Sequence, residues 1–114
     1  MKSRITTHVL DTSRGVPARG IRVVLEKQSG SSWKKVGADI TDQDGRCTKL
    51  LRPGKSVSKG TFRLTFNTAA YFRSMKVQTF YPYVSIAFEI KSSTAHYHVP
   101  VLVSPFGYST YRGS

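Results

Sequence analysis

Apolar and polar positions alternate with a period of two along most of this chain, the pattern of half-buried strands. Ile5–Asp11 places Ile5, Thr7 and Val9 on one face and Thr6, His8 and Leu10 on the other. Arg14–Gly20 reads as a loop. In Ile21–Gln28 the residues Ile21, Val23 and Leu25 share a face, and the turn Ser29–Ser32 joins it in a hairpin to a third strand, Trp33–Thr41. Asp42-Gln-Asp-Gly45 is a turn, followed by a short extended piece, Arg46–Leu51, and a basic loop, Arg52–Gly60. Thr61–Phe66 turns Phe62, Leu64 and Phe66 inward. Ala69–Lys76 is the one helical stretch, with Thr68 as its N-cap. Tyr83–Lys91 and Ala95–Val103 alternate again, and after Pro105 and Gly107 a last extended run, Tyr108–Gly113, leads to the end. About eight short strands separated by turns predict an all-β sandwich or barrel.

Composition narrows this picture. The 114 residues suit one domain over 1–114, and 39% hydrophobic content suffices for one modest core. No apolar run approaches the roughly 18 residues of a membrane-spanning helix. Strand-like sequence starts at about Ile5 with no charged n-region followed by an apolar h-region, and the final Arg-Gly-Ser is not a peroxisomal Ser-Lys-Leu. The expected location is therefore cytoplasmic or peroxisomal, with no targeting signal visible. The single cysteine, Cys47, excludes an internal disulfide and a cysteine-based metal site, and fits a reducing compartment. A net charge of +12 and a pI near 10.3 attract anions. The cations are scattered with no run longer than two, so no basic stripe of the kind nucleic acids need is visible. The expected partner is a small anionic molecule, with neither nucleic acid nor membrane.

Chemistry concentrates in the last stretch. His96 and His98 share a strand face, while Val99, Val101 and Val103 occupy the other. Tails usually fray and lose apolar content, yet this one stays aromatic to Tyr111 and ends Arg112-Gly113-Ser114, as a packed tail does. Histidine takes up a proton near neutrality, with an ordinary pKa of about 6.5. Arg46, just past a tight Asp-Gly turn, carries a fixed charge that can clamp an anion. Taken singly these are weak signals, and a buried Cys47 is a small core residue.

Together they occur in a telling order: Thr7-His8-Val-Leu-Asp11, Gly15-Val-Pro-Ala18, Thr41-Asp-Gln-Asp-Gly-Arg46-Cys47, Tyr81-Pro-Tyr-Val84, His96-Tyr-His98-Val-Pro-Val-Leu-Val-Ser-Pro105 and Tyr111-Arg-Gly-Ser114. Over essentially its whole length the chain resembles the 5-hydroxyisourate hydrolases, the transthyretin-related enzymes of urate breakdown. The ending Tyr-Arg-Gly-Ser is specific to that branch; the hormone-carrying transthyretins lack it and differ at the positions of His8, Arg46 and His98.

The resemblance implies a transthyretin-like sandwich of two four-stranded antiparallel sheets with one short helix. It also implies a homotetramer, a dimer of dimers whose interface forms the channel holding the sites. The implied reaction opens the six-membered ring of 5-hydroxyisourate at its N1–C6 amide to give 2-oxo-4-hydroxy-4-carboxy-5-ureidoimidazoline, with no cofactor and no metal. The implied catalytic residues are His8, Arg46, His98 and Ser114, with His8, Arg46, Tyr111, Arg112 and Gly113 at the substrate. His8 and His98 position and deprotonate the water, and which of them is the base stays open. Arg46 clamps the substrate, Tyr111 packs on it, and Ser114 orients His or Arg46 through its hydroxyl or α-carboxylate. Arg112 is expected to fix the tail more than to touch substrate. His96 is expected to be a solvent-side or interface residue whose loss is nearly neutral. The other readings are a transthyretin-type carrier of a hydrophobic hormone in the same channel and a basic nucleic-acid-binding β-domain.

Overall fold

The computed structural model describes residues 3–52 and 55–114; Pro53 and Gly54 of the expected basic loop lie outside them. The alternating segments form nine strands: β1 Ile5–Asp11, β2 Val16–Pro17, β3 Arg22–Ser29, β4 Ser32–Ile40, β5 Arg46–Cys47, β6 Gly60–Phe66, β7 Val84–Ile90, β8 Tyr97–Ser104 and β9 Gly107–Thr110. Among the described residues one helix, α1, spans Thr68–Ser74. No described helix is long and apolar enough to cross a membrane.

The strands make two sheets. One runs β2-β1-β8-β9, with β5 also on β1; the other runs β4-β3-β6-β7. The second sheet is antiparallel throughout, with β3 and β4 joined as the expected hairpin. The first departs from the expectation: β1 and β8 run parallel, from Ile5 opposite Tyr97 to Asp11 opposite Val103. The two strands come from opposite ends of the chain, so no hairpin constrains their direction. Their register puts Thr6 opposite His98 and His8 opposite Pro100. The antiparallel contact with β5 puts His8 opposite Arg46.

Period two decides what is buried. Ile5 and Val9 from β1, Val23 and Leu25 from β3, Leu64 and Phe66 from β6, and Val101 and Val103 from β8 are all at most 1% exposed and fill the space between the sheets. Each such side chain stabilises the fold by about 1.5–3 kcal/mol relative to exposure. Thr6, His8 and His98 consequently face the other way, out of the sandwich.

The helix begins one residue earlier than expected. Asn67, not Thr68, is the N-cap: its Oδ1 accepts from the Ala70 N–H at 3.3 Å. Thr68 is drawn into the core and its hydroxyl is buried without a hydrogen-bond partner. At the other end the N–H groups of Lys76 and Val77 donate to the Arg73 and Phe72 carbonyls, a Schellman closure with Lys76 in the left-handed region. Asp11 ties the helix to β1. Fully buried, it accepts from the Tyr71 hydroxyl at 2.8 Å and from Ser13 and Arg14 N–H groups. Burial first, and this bond second, raise the Tyr71 pKa.

Candidate active site

The turn before β5 is built by Asp42. Its Oδ1 accepts from the N–H groups of Asp44 at 2.9 Å and Arg46 at 3.0 Å, while its carbonyl accepts from Gly45 N–H at 2.9 Å. The Arg46 N–H holds the Asp42 carboxyl below the usual carboxylate range, and the Asp44 N–H and the charges of Arg46 and His8 act the same way against the opposing effect of burial. Gly45 adopts φ +78°, and a Cβ there would lie 2.4 Å from the Val9 carbonyl oxygen. The turn therefore lies flat on β1, with Val9 N–H donating to Gly45 at 2.7 Å. This fixes where Arg46 emerges. Among the described residues Arg46 forms no ion pair.

His8, across the strand pair from Arg46, points Nε2 at the Asp44 carbonyl at 2.8 Å. A carbonyl only accepts, so this nitrogen carries a proton. His98 is held differently. Its Nδ1 lies 2.8 Å from the Thr6 hydroxyl, and the same hydroxyl lies 3.1 Å from Nε2 of His96. The two imidazoles are nearly parallel, with centroids 6.4 Å apart. Thr6 itself is 4% exposed.

The tail reaches this group as a single bridge beyond β9. The Gly113 N–H donates to the His98 carbonyl at 2.9 Å. Ser114 is thereby brought to a polar cleft of about 90 Å³ lined by Thr6, Thr7, Arg46, Thr48, His96, His98 and Ser114. Three expected residues, Arg46, His98 and Ser114, thus meet. Thr6 and Thr48 were not singled out from sequence, although Thr6 shares the His8 face. His96, expected at the periphery, is solvent-exposed but borders the cleft through its bond to Thr6.

Tyr111 and Arg112 do not enter the cleft. With His98 they line a second hollow of about 240 Å³, walled by β7 and by Thr110. Tyr111 is 59% exposed there. The Arg112 guanidinium stacks over the Tyr97 ring, 4.6 Å from its centroid. The alternation of an extended tail sends Tyr111 and Gly113 to one side and Arg112 to the other, but the chain leaves regular strand at Thr110, so the tail does not hold that simple pattern. Among the described residues no group of three or more His, Cys, Asp or Glu is placed to hold a metal ion.

A relative from Salmonella dublin named 5-hydroxyisourate hydrolase is 46% identical over 110 residues, which cover 96% of this chain and 80% of that one. The solved structure of Klebsiella pneumoniae 5-hydroxyisourate hydrolase superposes with a TM-score of 0.85 at 32% identity, covering 96% of this chain and 98% of the other. Sea bream transthyretin in complex with thyroxine matches with a TM-score of 0.90 over 97% and 95% of the two chains, but at 23% identity shares the fold alone. A family model described as HIUase/Transthyretin family matches residues 5–113, and the chain belongs to that family.

Proposed function

We propose that this protein is a hydrolase that opens 5-hydroxyisourate in urate degradation, without a metal, and that it works as a homotetramer in the cytoplasm or peroxisome. The observation that carries the reading is the cleft in which the Arg46 guanidinium, in no ion pair among the described residues, stands with His98 and Ser114. A cation, an acid–base group and a hydroxyl are what hydrolysis of an anionic cyclic amide needs. The activity named for the relatives from Salmonella dublin and Klebsiella pneumoniae supports the same conclusion.

In this reading Arg46 binds the anionic substrate and stabilises the oxyanion that forms at the attacked carbonyl. Its planar fork suits both tasks. His98 is the base. Water activation falls to His98 because it lines the cleft and His8 does not; His8, with its Nε2–H held by the Asp44 carbonyl, is left to hold the substrate from beside Arg46. Ser114 orients the reacting groups from the tail. Gly113 lets the tail lie against His98, and Arg112 secures it through Tyr97. Tyr111, exposed beside the same strand, packs on the substrate side once a second copy of the chain faces this sheet. The open cleft and the outward Thr6–His8–His98 face favour such an assembly.

The test is the ultraviolet decay of freshly generated 5-hydroxyisourate. Native protein should accelerate it, and His98→Asn should lower turnover roughly 10²–10⁴-fold. Arg46→Lys should also be impaired, because a point charge does not reproduce the fork. Decay no faster than in buffer, together with tight thyroxine binding, would replace the enzyme reading by a carrier.

A further inference from the structure

Thr6 stands between two imidazoles with a single proton to give. A hydroxyl in that position donates to one ring nitrogen and accepts from the other. Its oxygen lies 2.8 Å from Nδ1 of His98 and 3.1 Å from Nε2 of His96. The direction of these two bonds decides what His98 can do. If Thr6 donated to His98 Nδ1, the neutral ring would carry its proton on Nε2 and could not accept one there. If instead His98 Nδ1–H donates to Thr6, Nε2 keeps its lone pair. Thr6 then donates to His96 Nε2, whose lone pair is ready to receive.

We propose that Thr6 and His96 form a proton relay behind His98, with Thr6 as the positioning residue and His96 as the terminal acceptor. This rests on His98 acting as the base. The balance of the step is simple. Water gives a proton to His98 Nε2, and His98 gives its Nδ1 proton to the Thr6 oxygen. Thr6 gives its own proton to His96 Nε2. Thr6 ends as a hydroxyl, His98 as a neutral ring and His96 as an imidazolium. The hydroxide formed attacks the carbonyl carbon.

The relay solves an electrostatic problem. His98 is half-buried and shares its cleft with the fixed charge of Arg46 from β5, so an imidazolium there would face a like charge. His96 borders the same cleft at its solvent-exposed rim, where water stabilises the charge. Thr7, Thr48 and Ser114 complete the lining of the cleft. Moving the positive charge one step outward therefore leaves the base neutral beside Arg46. The strand register makes the arrangement rigid, since Thr6 and His98 are direct partners across the parallel pair.

Five proteins test it: native, Thr6→Val, Thr6→Ser, His96→Ala and the double variant Thr6→Val/His96→Ala. Thr6→Val keeps the shape and removes the hydroxyl. It should lower kcat by about tenfold or more while KM stays within about threefold, and Thr6→Ser should restore kcat. His96→Ala, at an exposed position that the fold does not need, should fall to the level of Thr6→Val, and the double variant should fall no further. Imidazole ¹⁵N shifts of the resting protein should show His98 protonated on Nδ1 and His96 unprotonated on Nε2. That measurement needs no turnover, so it judges the relay even if the native protein fails to hydrolyse 5-hydroxyisourate, a result that would overturn the function itself. The relay is overturned by native kcat in Thr6→Val, by equal losses in Thr6→Val and Thr6→Ser, by additive losses in the double variant, or by a proton on His98 Nε2.

Discussion

Gly113 lies so close to His98 that a Cβ at position 113 would come within 2.6 Å of the imidazole Cδ2 and 3.1 Å of Pro100 Cγ. Real Cβ atoms essentially never show a contact of 2.6 Å, so a side chain at 113 must displace the ring. Gly113→Ala should therefore move His98 off its bond to Thr6 and lower kcat by about tenfold or more, since a shift of about 1 Å at a reacting group is costly. The melting temperature should stay within a few degrees, because Gly113 lies beyond the strands of the sandwich. Turnover and thermal unfolding of the purified variant check this; unchanged turnover would show that the ring yields without consequence.

Removing Tyr111–Ser114 is the coarser version of the same experiment. The valines of β8 and the whole second sheet lie upstream of the cut. Tyr111 is 59% exposed, so little apolar area is lost. Hydrolysis should disappear while the circular dichroism of the sandwich persists. Residues appended after Ser114 should weaken the activity, and their proteolytic removal should restore it. A truncated protein turning over at the native rate would mean the tail is only structural.

Asp42 should matter for Arg46 rather than for the core. Asp42→Ala deletes the acceptor of two N–H groups and should lower kcat several-fold by loosening the turn, whereas Asp42→Asn keeps an acceptor oxygen and should retain most of the activity. The carboxyl pKa is lowered from 3.8 in the fold, chiefly by the Arg46 N–H. Its stabilising contribution is thus complete above the unfolded value and lost as pH falls through the folded one. Urea unfolding at a series of pH values should show a native decline below 3.8 that is shallower in Asp42→Asn. Parallel declines would assign the effect to other carboxyls.

Cys47 sets a limit at the alkaline end. Burial, followed by the charges of Asp39 and Asp42, pushes its thiol up to about 12 from 9.0. Between those values the unfolded chain loses this proton and the folded protein keeps it, so stability should fall as pH rises through that window. Cys47→Ala should flatten that part of the profile. At about pH 8 the native thiol should resist a disulfide reagent that modifies the urea-unfolded chain at once. Rapid reaction of the folded protein would contradict the burial.

The pattern of the chain by itself determined most of the fold. Alternation has a period of two, so each strand declares its buried face locally; hence Val99, Val101 and Val103 inward and His98 outward were legible, as was the turn at Asp42–Gly45. The order of the histidine, arginine and tail motifs likewise pointed to the family. Partners across a sheet are a different matter, because they depend on contacts between distant parts of the chain. The parallel pairing of β1 with β8 was not legible for that reason, nor was the placing of Thr6 against His98, 92 positions away in sequence. Tertiary structure also moved the helix cap to Asn67, because burial took the Thr68 side chain inward. It separated Tyr111 from the cleft, and it brought His96 from the expected margin to the Thr6 hydroxyl. A strand pattern gives the side on which a side chain emerges; only the packed register decides which hydroxyl, ring or guanidinium it meets there.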